Sequence, residues 1–245
     1  ALDRLWHEKK TTLRALAGLV LVVSLLTIVF TFSRGAFIGL LAAFVAIIIY
    51  YRPRPTAIIL AMLLVIPLLS LVPRSYIQRL ETIANVLPWS KEIPSELALR
   101  GRLSEVTVGW LMFQDYPLAG VGVNNYPTHY LDYSSSVGLD PRLEARPAHS
   151  LYLQVAAETG ILGILLFGSI LWLTFRGLLR APAAFRQLGL DDSAEITHAL
   201  TIGLMGYLVA ATFLHAAYPR YMWLLLGIAL AIPNIIRNER RARQS

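Results

Sequence analysis

RPAHSLYLQ, residues 146–154, marks the point where a long polar segment gives way to an apolar run reaching to about residue 175. About 20 residues of helix cross the hydrocarbon core of a bilayer, so the run after Ser150 has the length and composition of a membrane span. A proline, an arginine and a histidine stand together at its mouth. Pro147 suits the first turn of a helix, where its missing N–H would have had no partner, so the spacing predicts a helix beginning around Arg146 to Pro147 with His149 in its first turn.

Working outward, five more apolar runs can be drawn. In order the six cover residues 13–32, 36–51, 56–72, 151–175, 197–217 and 221–236, the second and sixth being short. The whole chain of 245 residues has a mean hydropathy of +0.57, 56% hydrophobic and 15% charged residues, too apolar for an ordinary soluble domain. The expectation is an all-α membrane protein with about six transmembrane helices and a partly helical extracytoplasmic loop between the third and fourth. Residues 1–72 form its first three helices, 73–150 the loop domain, and 151–245 the last three helices with a basic tail.

A net charge of +7 would suit nucleic acid if it were gathered in one patch, but the basic residues fall in short groups beside the apolar runs. The groups HEKKTTLR, YYRPRP, FRGLLRAPAAFR and RNERRARQS recur at one end of successive runs, which by the positive-inside rule puts both termini in the cytoplasm and the long loop outside. Cysteine is absent, which excludes a disulfide, a thiolate metal site and a cysteine nucleophile. The chain begins with Ala1, and no small-residue cleavage site follows the first run, so it reads as a piece of a longer protein.

The loop holds nearly a third of the chain, and a segment of that length is uncommon without a function. It offers an interfacial helix at YIQRLETIANVLPW, an amphipathic helix from about Arg102 to Gln114, and a turn-rich stretch, DYPLAGVGVNNYP.

Several residues on this side could carry chemistry. At the positive end of a helix dipole His149 would stay neutral and could act as a general base; the alternative is an interfacial histidine bonded to a carbonyl or water. Arg34, wedged in TFSRGAF between two runs, either meets an anionic ligand or snorkels to the membrane surface. Arg100 and Arg102, at the opening of the amphipathic helix, suit a phosphate or diphosphate, or else form a solvated helix start paired with Glu105. Arg220 and His215 lie at the same membrane face, each alone reading as a helix-end anchor. Glu158 falls nine residues beyond His149, on about the opposite helix face, and reads as an intramembrane carboxylate that anchors another helix or pairs a buried arginine. Pooled, Arg34, Arg100, Arg102, Arg142, Arg146, His149, His215 and Arg220 describe a membrane-edge site for an anionic, lipid-borne substrate with one base.

Other motifs fail. GVGVNNY opens like a phosphate loop but lacks the third glycine and the strand and helix around it. Ser150 has no acid to complete a triad with His149. The histidines show no metal-ligand spacing, and no carboxylate cluster suits a divalent ion.

The ordered set TFSRGAF (31–37), LRGRLSEVTVGWLMFQDYPLAGVGVNNYP (99–127) and AHSLYLQVAAETGILG (148–163) resembles the O-antigen ligase and polymerase superfamily of bacterial inner-membrane glycosyltransferases. The resemblance implies a glycan donor on undecaprenyl diphosphate, a glycolipid, glycan or protein acceptor whose hydroxyl is presented on the periplasmic side, and an inverting, metal-independent transfer with no cofactor and no nucleic acid partner. The family's histidine base falls on His149. Its diphosphate-binding arginines fall on Arg34 and on Arg100 or Arg102. This sequence departs from the pattern in having Ser150 where asparagine is usual and fewer spans, as though an N-terminal part of the bundle were missing.

Within that reading, lipopolysaccharide ligation, chain polymerisation and protein O-glycosylation use similar chemistry. From another class, an anion or lipid-linked glycan transporter would need polar residues along several spans, whereas the charges here gather at one edge.

Overall fold

The computed structural model describes residues 5, 8–31, 33–51, 97–142, 144–214 and 219–244. They form helices α1 (Thr11–Phe30), α2 (Arg34–Tyr51), α3 (Leu97–Asp115), α4 (Tyr126–Val137), α5 (Leu151–Gln187), α6 (Asp191–Ala210, followed by the 3-10 turn Ala211–Phe213) and α7 (Arg220–Ala242). No strand occurs among the described residues. The chain divides into two compact units, one of residues 1–81, 177–208 and 231–245 and the other of residues 82–176 and 209–230.

Among the described residues four helices are long and apolar enough to cross a membrane: α1, α5, α6 with its 3-10 extension, and α7. They coincide with the first, fourth, fifth and sixth runs. The run 36–51 lies in α2, whose apolar part, Gly35–Tyr51, is shorter. The run 56–72 and the interfacial helix around 76–89 lie outside the described residues. Large apolar side chains are exposed along α1, including Leu16, Leu19, Val22, Val23 and Phe30, as a lipid-facing surface demands.

In the first unit small residues let helices approach. A Cβ on Gly206 of α6 would lie 3.1 Å from the Gly39 carbonyl oxygen and from Ala43 of α2. His198 meets the rings of Tyr50 and Tyr51 edge-on, and Arg186 bonds Glu195 at 2.8 Å.

The second unit is a helical cap built on the start of α5. The apolar core joins Val108 and Met112 of α3, Tyr126 and Tyr130 of α4, and Ala148 and Ala157, all buried. Helix α3 starts at Leu97, more than a turn earlier than its amphipathic pattern predicts. Helix α4 was not foreseen: YPTHYLDYSSSV carries three serines, whose hydroxyls bond back to carbonyls within the same helix and so compete with it. Proline in its first turn and a left-handed Gly138 at its end set its limits.

Helix α5 is broken at Gly160, where φ is 63° and ψ is −159°. Across the break the turn-rich stretch supplies the missing hydrogen bonds. Val121 and Gly122 donate to the carbonyls of Ala157 and Glu158 at 2.9 and 3.0 Å, while Ile161 and Leu162 donate to those of Pro117 and Leu118 at 2.8 and 3.3 Å. The segment that resembled a phosphate loop is thus a backbone clamp on a membrane helix. Exposed apolar side chains, Ile161, Leu162, Leu165 and Leu166, begin on the far side of the break. Residues 151–159 instead bury Leu151, Gln154, Ala157 and Glu158 in the cap.

A Cβ at Gly160 would sit 2.5 Å from the Leu118 carbonyl carbon, and one at Gly120 would collide with the Glu158 backbone. Both residues hold positive φ. Gly160→Ala is therefore expected to destabilise the cap by roughly 1–3 kcal/mol, read as a lower unfolding midpoint of the detergent-solubilised protein; an unchanged midpoint would refute the clamp.

Candidate functional site

The loop-side candidates assemble around one buried carboxylate. Helix α3 turns Gly101, Ser104, Glu105, Val108 and Met112 toward α4 and the 138–150 connection, all of them buried. Tyr126 donates its hydroxyl to the Glu105 carbonyl at 2.5 Å, and Tyr130 donates to Ser104 Oγ at 3.0 Å, so α4 fixes this turn of α3. Burial first, with the Glu105 charge behind it, pushes the Tyr126 hydroxyl well above the ordinary phenol range. It remains a donor at physiological pH.

Glu105 is fully buried and lies between an arginine and a histidine. Arg146 Nε lies 3.2 Å from its Oε1 and His149 Nδ1 lies 2.9 Å from its Oε2. These are electrostatic contacts, with neither N–H aligned on the carboxylate as a hydrogen bond. Arg146 also donates to Asp140 Oδ2 at 2.8 Å, and Arg142 grips both oxygens of Asp140 at 2.8 and 2.9 Å. That fork holds the Asp140 carboxyl down at about 2. A Cβ on Gly101 would collide with both guanidinium groups, so the glycine makes room for them.

His149 sits before α5, not inside its first turn. The helix begins at Leu151, and His149 has a φ of 45°, a left-handed backbone that few residues other than glycine adopt. The dipole argument from the sequence therefore loses its geometry. What turns the ring instead is the Pro147 carbonyl, 3.2 Å from Nδ1, together with Glu105. The side chain is 27% exposed. Ser150 serves the helix, its Oγ receiving the Leu153 N–H at 3.4 Å as the chain enters α5.

With α3 starting at Leu97, Arg100 stands at the end of its first turn and Arg102 lies beyond it. Arg100 Nε donates to the Leu139 carbonyl at 3.0 Å, on the same connection that carries Asp140 and Arg146. Arg102 is half-buried on the same helix. Arg220 is the exposed first residue of α7, and Arg34 is the first residue of α2 in the other compact unit. His215 lies outside the described residues.

Glu158 anchors a segment, as expected, but the segment is α4 rather than a membrane helix. It is buried and accepts the Tyr126 backbone N–H at 3.2 Å, with Gln154 Nε2 at 3.5 Å. A carboxylate against the first turn of α4 complements that helix's dipole. Among the described residues no group of three or more His, Asp or Glu side chains gathers in the manner of a metal cage.

The O-antigen ligase family model matches residues 19–168, more than half of the chain. The chain belongs to the O-antigen ligase family. It is accordingly a membrane protein of a ligase and polymerase family of glycosyltransferases. The matched span holds Arg34, the cap, His149 and the clamped part of α5. No curated protein matches the chain.

Glu105 and Asp140 are the residues that charge-counting along the sequence missed, since it scored arginines and treated Glu105 only as a partner for Arg100 or Arg102. Spacing could have found Glu105, because it shares a helix face with Gly101, Val108 and Met112, an otherwise small or apolar stripe. Because the folded Asp140 titrates below its ordinary value of about 4, the stability it contributes is fully present above that value and is lost as pH falls toward 2. Limited pepsin cleavage of the 138–150 connection should rise across that window in the wild type, whereas Asp140→Asn should be cleaved readily throughout it.

Proposed function

We propose that this chain carries the active site of an inverting, metal-independent glycosyltransferase of the bacterial inner membrane. It moves a glycan from undecaprenyl diphosphate to an acceptor hydroxyl on the periplasmic side, with both termini of the chain in the cytoplasm and about six spans in all. The observation that carries the reading is His149. The histidine of the AHS motif stands where the polar connection enters α5, its Nδ1 turned to the Pro147 carbonyl and to Glu105, whose other oxygen meets Arg146.

In the reaction, Nε2 of His149 takes the proton of the acceptor hydroxyl as its oxygen attacks the anomeric carbon. The bond from that carbon to the diphosphate oxygen breaks from the opposite face, and the diphosphate leaves with the electron pair. Arg100, Arg102, Arg146 and Arg220 supply cations that a departing diphosphate needs. Glu158 and His215 stay outside the chemistry, Glu158 as an anchor of the cap. The charges gather at one edge, and residues 161–175 carry no ionisable side chain, which favours a one-sided transferase over a transporter path.

Release of undecaprenyl diphosphate from a glycan-loaded donor, followed in proteoliposomes with lipid, glycan and protein acceptors, tests the reading. His149→Ala is expected to lose roughly 10²–10⁴-fold in rate while still binding donor, and Arg100→Ala to raise the donor KM roughly tenfold. Equal release from wild type and His149→Ala would sink the base assignment. Flux of donor or anion across the vesicle with no release would move the function to transport.

A further inference from the structure

We infer that Glu105 is a positioning residue for His149: its buried carboxylate, 2.9 Å from Nδ1, offsets the charge that the ring gains when Nε2 takes the acceptor proton. The inference rests on the reading of His149 as the base. No motif of the sequence marks this residue; the geometry does.

A carboxylate sealed in the core of a cap is costly unless cations reach it, and losing one partner leaves the charge uncompensated. The Glu105 side chain has no exposed surface, and Tyr126 and Tyr130 of α4 bond its turn of α3 at the Glu105 carbonyl and at Ser104 Oγ. It has Arg146 on one oxygen and His149 on the other. Arg146 alone, already bonded to Asp140, would be a structural ion pair. The second oxygen does something else. It faces a ring held in a left-handed backbone conformation, the strained arrangement that surrounding structure must impose.

Two groups therefore act on Nδ1. The Pro147 carbonyl accepts its proton and so sets the tautomer, leaving Nε2 as the atom that exchanges protons. The Glu105 carboxylate then stabilises the imidazolium at its moment of formation, in a site where little water competes. On the ring's own connection Arg142 and Arg146 pair with Asp140, Arg146 also reaches Glu144 and Glu105, and Glu105 Oε2 lies 2.9 Å from Nδ1.

Glu105→Gln keeps the shape and removes the charge. In the proteoliposome release assay with the undecaprenyl-diphosphate glycan donor, its kcat is expected to fall on the order of 10²-fold, with the donor KM within about twofold of wild type. Its pH–rate profile should differ from that of the wild type in the acid limb, which a merely structural partner of Arg146 would leave in place. Asp140→Asn loosens the same connection without touching His149 and should leave the limb in place. A limb unmoved in Glu105→Gln, a parallel loss of kcat and donor binding, or the same shift in Asp140→Asn would overturn the inference and make Glu105 a structural ion-pair partner. His149→Ala separates the two failures. If it turns over like wild type, the base assignment falls and Glu105 with it; if it is dead while Glu105→Gln keeps wild-type kcat and limb, the role of Glu105 alone falls.

Discussion

The cap depends on an exchange of backbone hydrogen bonds at Gly160. A continuous helix would satisfy every amide and carbonyl of α5 internally and leave nothing for a loop to hold. Breaking it frees the Ala157 and Glu158 carbonyls and the Ile161 and Leu162 amides, and residues 117–122 take up all four. The exchange is nearly even in hydrogen bonds, so its cost is mainly conformational. That cost falls on glycines, which alone tolerate the close approach and the positive φ at 120 and 160. Once the clamp is closed, Asn124 and Tyr126 are fixed over Glu158, α4 starts there, and α4 in turn grips α3 at Ser104 and Glu105.

Electrostatics then closes the connection between α4 and α5. Arg142, Arg146 and His149 lie on a stretch without helix or strand, and nothing in its own backbone would hold it in one shape. The buried carboxylates Asp140 and Glu105 tie it down, one from the connection itself and one from α3. Arg142 and Arg146 pair with Asp140, and Arg146 also with Glu105 and Glu144, so part of the positive charge visible in the sequence is neutralised locally.

The membrane runs were legible because apolar length is a strong signal that needs no partner; α1, α2, α6 and α7 start within a few residues of where the apolar pattern begins or at the polar turn before it. His149 and its arginines were legible as a cluster through topology and motif. What the sequence did not yield are the features set by tertiary pairing. Pro147 looked like a helix start, yet the chain enters α5 only after His149, because the ion pairs of Arg146 and the ring contacts hold residues 146–150 extended or bent. Glu158 looked intramembrane because a helix was assumed straight through Gly160. Helix α4 was hidden by serines that read as a loop. In each case the deciding contact comes from a residue more than twenty positions away, which no local pattern records.

The break in α5 also sets a stand-off. Ten residues separate Leu151 from Ile161, where the exposed apolar surface begins, and at about 1.5 Å per residue they form a post of roughly 15 Å. The interfacial zone on each side of a bilayer is only about 5–8 Å deep, given a total near 40–45 Å around a 30 Å core. His149 and the charged residues of the cap thereby stand off along the helix from its lipid-type apolar surface. The same helix that anchors the chain in lipid works above it as a pedestal.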